Sequence, residues 1–226
     1  MKISTVIACG GNSSRMGGVN KILLHLGEST VIGHTMLAFE RCESVTEIVV
    51  VARETDIPAI QAEAEKLGIT KLKECVTGGA TRQESVFNGV RRLSPEAELI
   101  AVHDGARPLI RSEFIEKAAK DASVFGGAAV GVPVKDTIKT VDDGLIIDTP
   151  PRNKLYITQT PQIFKRRLYL EGIDFALEHG LDFTDDCQLV EAIGGKIYMT
   201  EGDYTNIKIT TPEDIELVET LLRCRK

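Results

Sequence analysis

Short runs of β-branched residues alternate with segments of helical period along most of this chain, and that alternation constrains the fold more than any other feature. The runs lie at 3–8, 47–52, 71–76, 98–103 and 128–134. Between them, the stretches 30–42, 56–67, 81–93 and 112–125 return apolar residues every three or four positions. Repetition of this kind predicts an α/β fold: a Rossmann-like, mostly parallel sheet flanked by helices. Helix-start signals agree. Thr81 and Glu84 form a capping box, Asp56 precedes Ile57-Pro58, and Thr184-Asp185-Asp186 opens the stretch through Ile193. In Thr211-Pro212-Glu213-Asp214, a cap, a first-turn proline and two acids at the positive dipole end begin a last helix.

One stretch breaks the rhythm. Residues 136–148 read as two short strands around Asp142-Asp143-Gly144, a hairpin turn signal. No helix separates these strands, so they have no place in a parallel crossover. A β-hairpin arm at about 136–152, projecting from the main sheet, is the expectation. A lone two-stranded ribbon is marginal in water, which suggests that it clasps a partner subunit. No repeat, low-complexity tract or linker interrupts the remainder, and one domain spanning 1–226 is expected.

Charge and composition narrow the function. The formal net charge is -6, without a basic run, which argues against nucleic acid as a partner. No apolar stretch is long enough to span a membrane, and the N-terminus lacks the pattern of a signal peptide. A cytoplasmic protein with no membrane partner is expected. The cysteines Cys9, Cys42, Cys75, Cys187 and Cys224 form no C-x-x-C pair and read as reduced, mostly buried thiols. An acidic chain that binds phosphates must concentrate its cations locally, so the glycine-rich loops matter most.

Strand 3–8 runs directly into Cys9-Gly10-Gly11-Asn12-Ser13-Ser14-Arg15-Met16-Gly17-Gly18, with Lys21 three residues beyond. Adjacent glycines let backbone N–H groups approach anionic oxygens. The spacing is neither the dinucleotide G-x-G-x-x-G nor a Walker A loop. Arg15 and Lys21 instead ride on the loop itself, suited to a triphosphate and to charge moving onto a leaving pyrophosphate. The loop follows strand one, at the edge where α/β folds bind ligands. Asp104 ends the run 98–103 at that same edge. It suits Mg²⁺, which takes one or two carboxylates with substrate phosphates, or else caps the turn toward Gly105. Arg107 either faces an acceptor or pairs with a nearby acid. Lys208 sits in 206–210, read as a short strand, and needs an anion unless it points outward from an edge. Gly78-Gly79 is a base-reading loop or a plain helix-entry turn. Arg82 reads as structural, and Asp185 and Asp186 read as caps.

Taken together these blocks resemble the sugar-alcohol phosphate cytidylyltransferases, and most nearly the 2-C-methyl-D-erythritol 4-phosphate cytidylyltransferase family of non-mevalonate isoprenoid biosynthesis. The resemblance includes the first loop, Gly78-Gly79-x-x-Arg82-x-x-Ser85-Val86 and Val102-His103-Asp104-Gly105-Ala106-Arg107-Pro108. It continues through Val132-Pro133-Val134-Lys135-Asp136-Thr137-Ile138-Lys139, Thr160-Pro161-Gln162 and Asn206-Ile207-Lys208-Ile209-Thr210. It implies a nucleotide-diphospho-sugar transferase type of fold. It also implies transfer of CMP from CTP to 2-C-methyl-D-erythritol 4-phosphate, with Mg²⁺ as cofactor and pyrophosphate as by-product. By resemblance Arg15, Lys21, Arg152 and Lys208 are catalytic, and Cys9, Gly10, Gly11, Asn12, Gly79 and Ser85 bind the nucleotide. Asp104, Arg107, Thr137 and Thr160 serve the acceptor, and Asp104 also holds the metal. Arg152 and Thr137 fall in the partner's site, so a homodimer is implied.

The chain departs from the family pattern in three places. Cys9-Gly10 stands where Ala-Ala is common, Ser13 replaces the second loop glycine, and Gly105 stands where alanine is usual. The alternative is ribitol-5-phosphate cytidylyltransferase, which shares the loop, V-H-D, T-P-Q and N-I-K. The 132–139 block and Gly105-Ala106-Arg107-Pro108 stand nearer the methylerythritol family. A non-catalytic nucleotide-binding module would have no need to keep Arg15, Lys21, Asp104 and Lys208 together. A dehydrogenase would need the dinucleotide spacing.

Overall fold

The computed structural model describes residues 1–10 and 20–224. In chain order the first half comprises β1 (Ile3–Ala8), β2 (His25–Leu26), β3 (Ser29–Thr30), α1 (Val31–Glu40), β4 (Val45–Ala52), α2 (Ile57–Lys66), β5 (Leu72–Thr77), α3 (Arg82–Val90) and β6 (Leu99–Asp104). The second half comprises α4 (Ser112–Phe125), β7 (Gly127–Pro133), β8 (Thr140–Asp142), β9 (Leu145–Asp148), β10 (Tyr156–Lys165), α5 (Arg166–His179), α6 (Asp186–Ala192), β11 (Ile197–Glu201) and α7 (Pro212–Cys224). Seven strands form one sheet in the order β11-β7-β10-β6-β1-β4-β5. β1 pairs in parallel with β4 and β6, β4 with β5, and β7 with β11. Among the described strands of this sheet, only β10 runs antiparallel, between β6 and β7.

The expected α/β architecture is thus present. All five expected strands form, each within two residues of the reading at either end. β10 and β11 add to them. β10 escapes a period-two reading because its register shifts between Thr158 and Gln162, around Pro161, which has no N–H to give a ladder.

Both sheet faces are covered, which is why the strands read as continuous apolar runs rather than alternating ones. On one face Ile3, Ile7, Ile48 and Val50 pack with Met36 and Phe39 of α1, Ile60 of α2, and Ile115 and Ala119 of α4. On the other, Val6, Val49, Val51 and Val102 meet Val86 and Phe87 of α3, Tyr169 and Ile173 of α5, and Leu189 of α6. A third cluster of Leu26, Val31, Leu109, Ile209 and Val218 ties the segments after β1, after β6 and before α7 to one place. That cluster brings chemistry-bearing stretches together although they are distant in sequence.

Thr81 caps α3 by accepting the Glu84 N–H, and Asp185 caps α6 through the Cys187 N–H. Two local expectations fail. Asp56 gives no side-chain cap to α2; Arg53 holds its carboxylate at 2.8 Å instead. The stretch 206–210 is not a strand. Its chain turns through an Asn206 N–H bond to the Asp203 carbonyl, and Ile209 N–H reaches the Ala106 carbonyl as an isolated contact, so no ladder forms.

The β8–β9 ribbon is the hairpin expected at 136–152. Its turn places Asp143 and Gly144 at φ 44 and 80, the paired positive angles of a primed two-residue turn. Val141, Leu145, Ile146 and Ile147 lie exposed along it.

Candidate active site

β6 delivers His103 and Asp104 to the carboxyl edge of the sheet, beside Ala8 and Cys9 at the end of β1. Strand alternation sends their two side chains to opposite faces. Asp104 meets Lys208 at 2.9 Å and Arg107 at 3.4 Å, both through Oδ2. Arg107 also donates to the Asn206 carbonyl at 2.8 Å, so the two cations are joined through the 206–210 segment. Burial alone would raise the Asp104 carboxyl. Lys208, Arg107 and Arg82 together outweigh it and hold the group down at about 2, so it stays ionised at neutral pH.

A buried relay fixes Asp104 from behind. The Thr160 hydroxyl accepts the Asp104 N–H at 3.0 Å and lies 3.0 Å from His103 Nδ1. The Arg107 carbonyl, 3.3 Å from Nε2, can only accept, which places the ring proton on Nε2 and leaves Nδ1 to accept from the Thr160 hydroxyl. Burial pushes the imidazole down to about 3 despite the neighbouring carboxylate, so it stays neutral. Asn206 donates to the Thr160 carbonyl at 2.9 Å. Thr160, expected to offer its hydroxyl to the acceptor, therefore spends it on Asp104 and His103. Sequence reading missed His103 and Asn206. The available signal for His103 was a histidine ending an otherwise apolar run; Asn206, between Thr205 and Ile207, gave none.

Next to this cluster lies a cleft of about 400 Å³, lined among others by Gly10, Ala52, Gly78, Gly79, Arg82 and Ser85. It stands at the carboxyl ends of β1, β4 and β5, the edge at which α/β sheets bind ligands. The Ser85 hydroxyl accepts the Gly79 N–H at 2.9 Å and donates to the Thr81 carbonyl at 2.8 Å. Its role here is to shape the glycine turn. A Cβ on Gly79 would lie 2.3 Å from the exposed Glu84 side chain, which would have to turn away from the Ala80 N–H it accepts to admit one. Arg82 pairs with buried Asp186 at 2.6 Å, and Tyr169 donates to the same carboxylate at 2.6 Å. Arg82 thus matches its structural reading, while Asp186 is an ion-pair partner rather than a cap.

The other candidates divide. Lys21 opens a single 3-10 turn, Lys21–Leu23, directly after the first loop. Gly11, Asn12 and Arg15 lie outside the described residues. Cys9 turns its thiol into the core, where burial pushes it well above the ordinary thiol range; only its backbone is left to face a nucleotide. Arg152 donates to the Lys135 carbonyl at 2.7 Å at the root of the arm, and Thr137 lies exposed nearby. Among the described residues neither bonds to the Asp104 cluster.

Among the described residues no three His, Cys, Asp or Glu side chains converge on a metal position. Asp104 offers one ionised carboxylate, with Oδ1 left outside both ion pairs. That donor set is too small for an all-protein metal cage, but it suits Mg²⁺ shared with substrate phosphates.

A sequence profile of the family 2-C-methyl-D-erythritol 4-phosphate cytidylyltransferase (IspD) matches residues 3–224. The chain belongs to this family. A cytidylyltransferase of that name from Caldanaerobacter subterraneus subsp. tengcongensis is 44% identical over 226 residues, 99% of this chain and 100% of its own. One from Syntrophotalea carbinolica is 42% identical over 225 residues, covering 98% and 97%. In three dimensions, 4-diphosphocytidyl-2C-methyl-D-erythritol synthase from Anaerococcus prevotii superposes with a TM-score of 0.88 at 32% identity, covering 98% of this chain and 96% of that one.

Two departures from the cytidylyltransferase family pattern meet in space. A Cβ placed on Gly105 would lie 2.3 Å from Cys9 Sγ. The larger residue at position 9 thus occupies the room that the smaller one at 105 vacates, directly beneath Asp104.

Proposed function

We propose that the chain transfers CMP from CTP to 2-C-methyl-D-erythritol 4-phosphate, forming 4-diphosphocytidyl-2-C-methyl-D-erythritol and pyrophosphate. The observation that carries this reading is the convergence of Asp104, Arg107 and Lys208 beside the glycine-walled cleft. The cleft takes the cytosine end, with the triphosphate directed along the loop that follows β1. The acceptor's phosphate monoester oxygen attacks the α-phosphorus in line, and the bond from that phosphorus to the β-phosphate bridging oxygen breaks. This nucleophile is already anionic near pH 7, so no protein base is required. Catalysis is positioning and charge neutralisation. Lys208 and Arg107 orient the acceptor phosphate, while Arg15 and Lys21 offset charge developing toward pyrophosphate. Asp104, kept ionised, would hold Mg²⁺, which supplies further charge neutralisation on the triphosphate.

The active unit in this proposal is a homodimer of 1–226 single-domain subunits. The exposed Val141, Leu145, Ile146 and Ile147 support it, because an apolar ribbon standing off the sheet gains stability by being covered. Arg152 and Thr137, at the arm's root, then serve the neighbouring subunit's acceptor. Among the described residues no helix is long and apolar enough to cross a membrane, and all five cysteines are free. Both features suit a cytoplasmic setting.

The test is pyrophosphate release by the purified protein with CTP and Mg²⁺, offered either acceptor. Release with methylerythritol phosphate and not with ribitol 5-phosphate is expected; the reverse would transfer the chain to the ribitol reaction. Lys208→Gln should cut turnover by roughly 10²–10³-fold, as removal of one preorganised charge does elsewhere. Near-normal turnover in that variant would end the assignment.

A further inference from the structure

The segment between β11 and α7 carries Lys208 without regular secondary structure, so something else must hold it in place. Its inner side is held by bonds already described: Arg107 to the Asn206 carbonyl, Asn206 to Thr160, and Ile209 N–H to the Ala106 carbonyl. Its outer side has a different anchor. Tyr204 occupies the tip of the turn closed by the Asn206 N–H on the Asp203 carbonyl. Its hydroxyl donates to the Pro133 carbonyl at 2.7 Å, and the Lys135 ammonium stands 3.5 Å over its ring. Pro133 ends β7 and Lys135 begins the root of the arm. The Lys135 carbonyl is also the group that Arg152 holds. One side chain therefore bridges the arm's root and the turn that precedes Lys208 by two residues.

We propose that Tyr204 is a positioning residue for the acceptor site. It straps the Lys208 segment to the root of the arm, so that Lys208 is set before the acceptor arrives. Tyr204 is about two-fifths exposed, and core packing does not account for its placement. Its contacts are a hydrogen bond and a cation–π contact, both directional. Without them the turn keeps its Gln159 and Arg111 contacts to Asp203 but loses its tie to the arm. The freedom it gains must be given up when the acceptor binds, a conformational cost drawn from acceptor affinity. A saturating acceptor restores the order, so the effect belongs on KM for the acceptor and leaves kcat nearly intact. CTP has its own cleft beside Gly10 and Gly79 and should not sense the change.

The proposal rests on the cytidylyl-transfer reading, and the experiment separates the two. Steady-state kinetics with CTP, Mg²⁺ and methylerythritol phosphate are compared for the wild type, Tyr204→Phe and Tyr204→Ala. Amide hydrogen exchange over 203–210 is followed in the ligand-free proteins. Tyr204→Ala is expected to raise the acceptor KM about five- to tenfold, the scale of one or two such contacts. kcat and the CTP KM should stay within about twofold of the wild type. Tyr204→Phe, which keeps the ring on Lys135, should fall between, and exchange at Asn206 and Ile209 should quicken in the same order. An unchanged acceptor KM, or KM values rising equally for both substrates, overturns the proposal. A wild type that does not turn over methylerythritol phosphate sinks the functional reading instead. In that event the exchange data decide the strap alone, and unaltered exchange refutes it.

Discussion

Gly105→Ala tests whether the space beneath Asp104 is as tight as the structure shows. Gly105 does not have a positive φ, so alanine meets no backbone strain and the cost is one of space. The new methyl would lie 2.3 Å from Cys9 Sγ, against 3.3 Å from the Ala8 carbonyl and 3.4 Å from Ile32 Cδ1. The last two need shifts of a few tenths of an ångström; the first needs more than an ångström. Neither backbone moves freely, and the Cys9 thiol that would have to swing aside is packed in the core. Gly105 N–H is bonded to the Ala8 carbonyl and its carbonyl to the Thr35 hydroxyl, while Cys9 N–H is bonded to the Val51 carbonyl. Overpacking of this kind costs about 1–3 kcal/mol. Cys9→Ala alone removes one buried sulfur and should cost about 1 kcal/mol through the small void it leaves. In the double variant the methyl at 105 takes the place of the sulfur, so the total should stay near 1 kcal/mol. The coupling energy is then about 1–3 kcal/mol, well beyond the few tenths expected for independent sites. Urea denaturation in reducing buffer measures it, provided the m-values agree. Turnover should follow stability, falling in Gly105→Ala and recovering in the double variant. If the single losses simply add to within about 0.5 kcal/mol, the steric account is wrong.

Three further outcomes follow from the site. Arg82→Met strands the Asp186 carboxylate, whose side chain is 2% exposed, and should cost about 2–3 kcal/mol. That lies at or below the about 3–5 kcal/mol of a fully buried broken pair because Arg82 is itself partly exposed; a loss below about 1 kcal/mol in denaturation would contradict the pairing. Stability should fall on acidification through His103: held down to about 3 when folded against an ordinary 6.5, it is neutral in both states above pH 6.5. Below that only the unfolded chain gains the proton, at up to about 1.4 kcal/mol per pH unit down to pH 3, and an unchanged slope in His103→Gln would dispose of this. Mixing inactive Arg152→Ala and Lys208→Ala proteins should regain about one quarter of wild-type activity by statistical exchange of subunits, because one site in each mixed dimer is intact. No recovery on exchange would remove Arg152 from the neighbouring site.

The α/β class, the five principal strands and the hairpin arm were legible in the sequence because each depends on short-range periodicity and turn chemistry. Asp143-Gly144 adopts the turn its residues favour, and Thr81 caps α3 as its spacing predicts. The placement of Gly10 and Asp104 at the carboxyl edge of the sheet was legible too, because both directly follow or end strands read from periodicity. The roles of single polar groups were not. Nothing in the local pattern says that the Thr160 hydroxyl turns inward to Asp104 and His103, or that Lys208 lies in an irregular segment rather than a strand. The pairing of Asp186 with Arg82 depends on residues about a hundred positions apart, as does the Gly105 vacancy beside Cys9. Backbone preferences act over a few residues and are written in the local sequence. Hydrogen-bond partners and shared volume are settled only when the sheet brings distant segments into contact.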